Sequence, residues 1–125
     1  MGAVRVTYVT DPACPRSWAA EPAVRGVQAS FGDAVRFTYV MGGLAREVGD
    51  GLQLARAALE AQAASGMPVD ARGFLERPPR STFPACLAVK AAQEQGPGPA
   101  AAYLRRLREG FLCRRRALDT REALE

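Results

Sequence analysis

The chain has 125 residues, of which 48% are hydrophobic and 24% are charged, and its formal net charge is +4 at pH 7. This size and composition are typical of one globular domain with a single modest core. Histidine is absent, which excludes Ser-His and Cys-His catalysis and imidazole metal sites. Three cysteines, an odd number, do not predict a disulfide framework.

The N-terminal region lacks the pattern of a targeting segment. Arg5 and polar residues interrupt its apolar run, unlike the apolar stretch of a signal peptide. No run of residues approaches the length of a membrane span. We therefore expect a cytoplasmic protein with no membrane partner.

The first elements in chain order are a strand and a helix. Residues 4–9 alternate in polarity and are rich in β-branched side chains, which predicts a strand that Asp11-Pro12 ends. Pro15 suits the first position of a helix, and Gly32 suits its end. Apolar residues recur at helical spacing along this helix: Ala20, Val24, Val27 and Phe31. Pro22 falls within it and should kink it.

A second strand and then a run of helices are predicted after Gly32. The strand covers residues 35–41, and residues 50–65 form a helix ended by Gly66. Its expected apolar face carries Leu52, Ala55 and Leu59. Ser81 or Thr82 should cap a helix that runs towards Gly96.

Two further helices are predicted near the end of the sequence. Pro99 opens the first, and Thr120 caps the second. The buried stripe of the first helix should consist of Ala100, Leu104, Leu107 and Phe111. The arginines of this region are expected to form a solvated face: Arg105, Arg106, Arg108, Arg114, Arg115 and Arg116. They are not interleaved with aromatic residues, so nucleic-acid binding is not predicted.

Cys14 is the residue whose position most clearly points to chemistry. Strand, helix and strand form a right-handed parallel βαβ unit, and a reactive group is expected where the first strand leads into the helix. Cys14 occupies that turn. Backbone N–H groups at a helix N-terminus and the nearby Arg16 both favour a thiolate over a thiol. A half-buried cysteine without chemistry at a helix cap is the alternative.

The other two cysteines call for simpler interpretations. Cys86 is expected to be a small buried residue of an alanine-rich helix, and Cys113 falls off the apolar stripe and should be partly exposed. No cysteine pair has the spacing of zinc ligands, so no metal site is predicted.

The segment around Cys14 resembles a known family. Asp-Pro-Ala-Cys-Pro-Arg-Ser-Trp at residues 11–18, Glu21-Pro22, and Tyr-Val-Met-Gly-Gly-Leu at residues 39–44 are similar to the opening of DsbA-like thioredoxin-fold oxidoreductases of the FrnE type. Residues 79–88 and 104–111 resemble pieces of the helical domain inserted in that family. The resemblance implies an α/β thioredoxin-like fold, with a βαβ unit over residues 1–46 and a helical insertion over residues 47–125 in the same compact domain.

The sequence departs from the pattern of the family in two ways. Ser17 replaces the second, resolving cysteine of the family motif, so the site reads Cys-Pro-Arg-Ser. A lone thiolate forms a mixed disulfide and waits for an outside thiol, while the Ser17 hydroxyl can still donate a hydrogen bond to it. Kappa-class glutathione transferases and chromene-carboxylate isomerases are similar here, with serine at both positions. The second departure is that no final β-hairpin follows, which predicts a truncated fold with exposed sheet edges and a homodimer through those edges.

The resemblance and the residues leave three functional hypotheses. The first is a monothiol thiol-disulfide oxidoreductase with Cys14, Ser17 and Arg16 as its catalytic residues. Pro15 and Trp18 would contact the substrate, and the partner would be a protein or a low-molecular-weight thiol or disulfide. The second is a glutathione-dependent isomerase or transferase, and the third is a redox-inactive thioredoxin-like adaptor. No cofactor other than glutathione is implied.

Overall fold

A parallel two-stranded sheet and a crossover helix form the N-terminal part of the computed structural model, which describes residues 2–125. Strand β1, Val4–Thr10, pairs with β2, Val35–Met41, and helix α1, Pro15–Phe31, connects them. The register runs without interruption from Val4 opposite Val35 to Thr10 opposite Met41. The predicted order of strand, helix and parallel strand is confirmed.

Five helices follow the second strand. A short 3₁₀ turn, Gly32–Ala34, precedes β2, and a second one, Gln93–Gln95, lies between the fourth and fifth helices. The five helices are α2 (Leu52–Ser65), α3 (Arg72–Glu76), α4 (Phe83–Ala92), α5 (Pro97–Cys113) and α6 (Arg121–Leu124). No helix within residues 2–125 is long and apolar enough to cross a membrane.

The helix ends show why the sequence folds in these places. Helix α2 begins after Gly51, which has a φ of 77°, and the Asp50 carboxylate accepts a hydrogen bond from the Leu52 N–H at 3.0 Å. Gly66, with a φ of 74°, ends the same helix by donating its N–H to the Gln62 carbonyl. Glycine adopts these left-handed conformations without the steric cost that a Cβ brings.

Of the predicted N-caps of the later helices, the structure has those of Thr120 and Ser81 and lacks that of Thr82. Thr120 caps α6 through its hydroxyl, which accepts a hydrogen bond from the Ala123 N–H at 3.3 Å. Thr82 precedes α4 but its side chain does not cap that helix. Instead, the Ser81 hydroxyl accepts the hydrogen bond of the Phe83 N–H at 3.1 Å.

The core lies where α5 packs against the other helices and the turn after β1. The predicted α5 stripe is confirmed, because Ala100, Leu104, Leu107 and Phe111 are all buried. Leu112 of the same helix is buried too, and large side chains from other parts of the chain complete this core: Trp18, Phe74, Val89 and Leu118. Burial of such side chains is the main source of stabilisation in a small domain.

The predicted face of α2 was wrong for its two leucines. The buried residues are Ala55, Ala58 and Ala61, whereas Leu52 is 43% exposed and Leu59 is 55% exposed. At about 100° per residue, both leucines lie about 100° or more around the helix from Ala58. Alanine methyl groups allow α2 to approach its neighbours closely, and the leucines remain outside that contact.

The apolar stripe expected along α1 is also only partly buried. The buried residues of α1 all lie in its first two turns: Pro15, Ser17, Trp18 and Glu21. Val27 is 38% exposed and Phe31 is 58% exposed. Within residues 2–125 the sheet has two strands, and so narrow a sheet offers too little surface to cover the whole helix.

Candidate functional site

The turn between β1 and α1 presents Cys14 at the start of the helix. Cys14 is the N-cap residue, with φ −73° and ψ 114°, and Pro15 occupies the first helical position. The Cys14 N–H donates to the Asp11 carbonyl at 3.1 Å, and the Cys14 carbonyl accepts the Trp18 N–H at 3.1 Å. The cysteine is therefore fixed by its own backbone, and its side chain is half-buried.

The carboxylate of Asp11 ties this turn to the rest of the molecule. Asp11 is 3% exposed, and its Oδ1 accepts a hydrogen bond from the Ala13 N–H at 2.8 Å. Its Oδ2 accepts from the Leu44 N–H at 2.6 Å, from the Thr82 hydroxyl at 2.8 Å and from the Cys86 thiol at 3.2 Å. One buried carboxylate thus links the Cys14 turn, the loop after β2 and helix α4.

A shallow groove of about 270 Å³ opens beside Cys14. Its walls come from the start of α1, the loop after β2 and one face of α2: Cys14, Pro15, Arg16, Leu44, Ala45, Glu47, Val48, Gln53, Leu54 and Ala57. The lining is mostly apolar, with one cation and one carboxylate of opposite sign. Such a groove can accept a short stretch of extended chain or a small thiol next to the cysteine.

The structure brings together three of the five residues expected at the site. Cys14, Pro15 and Arg16 all line the groove. Ser17 is not among the residues that line the groove; it is 8% exposed, and its Oγ accepts a hydrogen bond from the Thr10 hydroxyl at 2.7 Å. The expectation that Trp18 contacts a substrate needs correction, because that side chain is 1% exposed.

Trp18 belongs to the core instead of the site surface. Its Nε1 donates a hydrogen bond to the Pro68 carbonyl at 2.8 Å, and the Arg105 guanidinium carbon lies 4.7 Å from the centroid of the indole ring. A cation over an aromatic face is an attractive contact that strengthens when it is desolvated. Trp18 therefore anchors α1 against α5 and the loop before α3.

A buried group of charges that was not predicted from the sequence joins α1 to α5. Glu21 pairs with Arg105 at 2.8 Å and lies 3.8 Å from Arg108. Arg108 is 5% exposed, so the prediction of a fully solvated arginine face was wrong. The available signal was position: Arg108 is four residues after Leu104 and three before Phe111, which puts it within the buried stripe of α5.

Cys86 and Cys113 lie in settings that disfavour a thiolate. Burial, assisted by the nearby Asp11 carboxylate, raises the pKa of Cys86 to about 12. Burial also raises the pKa of Cys113, whose thiol donates a hydrogen bond to the Pro68 carbonyl at 3.2 Å. The expectations of a buried Cys86 and a partly exposed Cys113 are confirmed.

A larger cleft of about 600 Å³ lies away from Cys14, over the sheet between α1 and α5. Aromatic side chains from both strands form part of its wall: Tyr8, Phe37 and Tyr39. Its arginines are engaged with acidic partners, since Arg25 and Arg105 both bind Glu21. In the part of the chain that the structure describes, no three cysteine, aspartate or glutamate residues are grouped as a metal site.

Comparison with known proteins identifies relatives of this fold and this sequence. The ClpXP adapter protein SpxH of Halalkalibacterium halodurans is 32% identical over an alignment of 124 residues. The match covers 91% of this chain and 40% of SpxH. The cytosolic disulfide reductase DsbM of Pseudomonas aeruginosa has a similar structure. The DsbM structure with GSH matches at 24% identity with a TM-score of 0.78. A second DsbM structure matches at 22% identity with a TM-score of 0.80.

These relatives are longer than this chain. The match covers 97% of this chain in both DsbM structures, but 61% and 60% of the DsbM chain. The chain thus spans less than two thirds of the length of SpxH and of DsbM. The structural likeness confirms the predicted α/β thioredoxin-like fold.

The family itself follows from a match over most of the sequence. The model Thioredoxin_5, described as "Thioredoxin", matches residues 8–125. That range includes the end of β1, the Cys14 turn and every later element. The chain therefore belongs to this thioredoxin family.

Proposed function

We propose that this chain performs thiol-disulfide exchange with Cys14 as its single reactive thiol. The observation that carries the proposal is the position of Cys14, half-exposed at the N-terminus of α1 and beside a groove that holds Arg16. Backbone N–H groups and a nearby cation both favour the thiolate, which is the attacking species. The fold shared with the disulfide reductase DsbM supports the same chemistry.

The proposed reaction balances without a second cysteine at the site. The Cys14 thiolate attacks a substrate disulfide, whose S–S bond breaks as a Cys14 mixed disulfide forms and one substrate thiolate leaves. An external thiolate then attacks the Cys14 sulfur and frees the second substrate thiolate. A second external thiolate releases Cys14. Two external thiols are thereby oxidised to a disulfide for each substrate disulfide that is reduced.

Glutathione is the external thiol that we propose, and a cytoplasmic location is part of the same proposal. DsbM is described as cytosolic, and one of its structures contains GSH. A reducing compartment supplies glutathione and keeps Cys14 from remaining in a disulfide. The finer assignment to the FrnE type, with Cys-Pro-Arg-Ser in place of a Cys-Pro-x-Cys motif, rests on the resemblance of residues 11–18.

Exposure to oxidised glutathione tests this function. We expect mass spectrometry to find one glutathione adduct on Cys14 and none in a Cys14→Ser variant. Ser17→Cys is the matched gain-of-function change, because the introduced thiol should expel glutathione and leave an internal disulfide. If Cys14 stays unmodified, or reacts no faster than Cys113, the proposed chemistry is wrong.

A second candidate is an adaptor that retains the fold to bind a partner. The 32% identity to the ClpXP adapter SpxH favours it. Val9 at 65% exposure and Val40 at 42% lie side by side in the β1–β2 register and give the sheet an open apolar face. Partner binding that persists in Cys14→Ser would support this function, whereas loss of binding in that variant would tie the partner to the thiol.

Two narrower hypotheses stay open beside these. A glutathione-dependent isomerase or transferase would bind reduced glutathione tightly in the groove without forming an adduct, which calorimetry can detect. A homodimer through the exposed sheet edges would show a doubled mass in sedimentation. A monomer at high protein concentration would contradict the dimer.

A further inference from the structure

A line of three buried side chains leads from α5 to the residue below the candidate site. The Arg108 Nη2 donates a hydrogen bond to the Thr10 Oγ1 at 2.7 Å, and the Thr10 hydroxyl donates to the Ser17 Oγ at 2.7 Å. Arg108 and Thr10 are each 5% exposed, and Ser17 is 8% exposed. The line therefore runs through the interior, out of reach of bulk water.

The hydrogen bonds of this line run in one direction, from Arg108 to Thr10 and from Thr10 to Ser17. A guanidinium can only donate, so the Thr10 oxygen accepts from Arg108, and the Thr10 hydroxyl donates to the Ser17 oxygen. The proton of the Ser17 hydroxyl is not used in this line. Within residues 2–125 no acceptor is within hydrogen-bond distance of the Ser17 hydroxyl proton, so this hydroxyl can donate to a further group.

Cys14 is the group that this donor can serve. Cys14 is the N-cap of α1 and Ser17 is the third helical residue. Both residues lie in the first turn of α1, where helical side chains lean back towards the N-terminus. A thiolate at Cys14 would supply the acceptor that the Ser17 proton lacks.

The buried pair of Arg108 and Glu21 is incompletely hydrogen-bonded. The Nε of Arg108 and the Oε2 of Glu21 are both buried without a hydrogen-bond partner, although the Arg108 Nη1 lies 3.8 Å from that Oε2. A buried guanidinium is costly to desolvate unless its donors are satisfied. The Arg108 contact to Thr10, at 2.7 Å, is shorter than its contact to Glu21, and it joins Arg108 to the line that leads to Ser17.

We propose that Arg108 and Thr10 are positioning residues that hold the Ser17 hydroxyl as a hydrogen-bond donor to the Cys14 thiolate. This inference rests on the proposed thiol chemistry. It gives the serine at the resolving position a defined role: Ser17 stabilises the Cys14 thiolate, although it cannot resolve a mixed disulfide formed on Cys14. Neither positioning residue touches the substrate, since both are buried.

Other charges also face Cys14 and act in every variant alike. Arg16 from α1 and Glu47 from the loop after β2 line the groove, and they have opposite effects on a thiolate. Asp11 directs its carboxylate oxygens to other donors. The groove residues from α2 have no charge: Gln53, Leu54 and Ala57.

The test is the pH dependence of Cys14 alkylation in a Cys86→Ser, Cys113→Ser background, with Thr10→Val compared with Thr10→Ser. Valine keeps the shape of threonine and removes the hydroxyl, whereas serine retains it. We expect Thr10→Val to raise the alkylation midpoint by about one pH unit, a roughly tenfold loss of thiolate at a fixed lower pH, as for one hydrogen bond to a charged group. Thr10→Ser should restore the parent midpoint.

A double-variant cycle separates this inference from the function on which it rests. Once Ser17→Ala is present, adding Thr10→Val should change nothing further. A parent midpoint at or above about 8.5, the value of a free cysteine, overturns the proposed thiol chemistry. A lower parent midpoint that Thr10→Val leaves unchanged overturns the positioning role alone.

A second route keeps the test decisive if Thr10→Val does not fold. The pair Glu21→Gln with Arg108→Met removes both charges together and deletes the donor to Thr10. Fluorescence of Trp18, the single and buried tryptophan, reports whether each variant is folded. In the folded pair we expect the midpoint to rise as in Thr10→Val, and an unchanged midpoint would contradict the proposal.

Discussion

Replacing Asp11 by asparagine should strongly destabilise the protein, although the two side chains have almost the same shape. The carboxylate accepts four hydrogen bonds, three of them on Oδ2. In Asp11→Asn, the amide oxygen can keep the hydrogen bond from the Ala13 N–H. The NH₂ group would then face the groups that donate to Oδ2, and it cannot accept a hydrogen bond from them. The Leu44 N–H, which donates to Oδ2 at 2.6 Å, would then lose its acceptor in the protein.

The size of the effect follows from the type of bond. A hydrogen bond to a charged group contributes about 1.5–3 kcal/mol net, and a donor left without a partner costs a similar amount. Because the three Oδ2 contacts share one atom and do not add, we expect a loss of about 3 kcal/mol. A small domain has a total stability of about 5–15 kcal/mol, so the variant would be severely weakened.

Urea unfolding followed by Trp18 fluorescence measures this loss. Asp33→Asn is the matched control, because Asp33 is exposed in the turn before β2. It should change the free energy of unfolding by less than about 0.5 kcal/mol, as other surface substitutions do. If Asp11→Asn is as stable as this control, the carboxylate does not hold the three segments together.

Three other perturbations test the packing and the buried thiol. The pKa of Cys86 is raised to about 12 from 9.0, so above pH 9 the folded state keeps a proton on this thiol that the unfolded state loses. The wild type should therefore lose more stability above pH 9 than Cys86→Ala does, which urea titrations at several pH values can measure. Leu104→Ala should cost about 2–5 kcal/mol in urea unfolding, whereas Leu59→Ala, at a side chain that is 55% exposed, should cost much less. Gly51→Ala should lower the melting temperature because its φ is 77° and an added Cβ would overlap a carbonyl oxygen, whereas Gly26→Ala, in open space within α1, should raise it; equal melting temperatures would contradict this difference.

The local pattern was sufficient to predict most of the secondary structure, although the short helix α3 was not predicted. Alternating β-branched residues and flanking glycine or proline defined β1, α1 and β2 to within a residue or two. The stripe of α5 was equally clear, since large apolar side chains at helical spacing have one way to be buried. Cys14 could be placed at the helix N-cap because a strand, a break and a proline surround it in sequence.

Tertiary contacts were beyond the reach of such patterns. The alanine face of α2 was missed because leucine outranks alanine in hydrophobicity, while close packing selects the smaller side chain. Burial of Arg108 was missed because arginine is seldom buried unless it is paired. Its partner Glu21 and its acceptor Thr10 are 87 and 98 residues away in sequence, and only the folded chain brings them together.

The most direct test of the central claim is the rate of Cys14 alkylation as a function of pH in a Cys86→Ser, Cys113→Ser variant. Serine at residue 86 keeps a donor for Asp11, which accepts the Cys86 thiol at 3.2 Å. An activated thiolate at the start of α1 predicts a midpoint well below about 8.5. A midpoint at or above that value would contradict the redox function and would favour a thioredoxin-fold protein that acts by binding a partner.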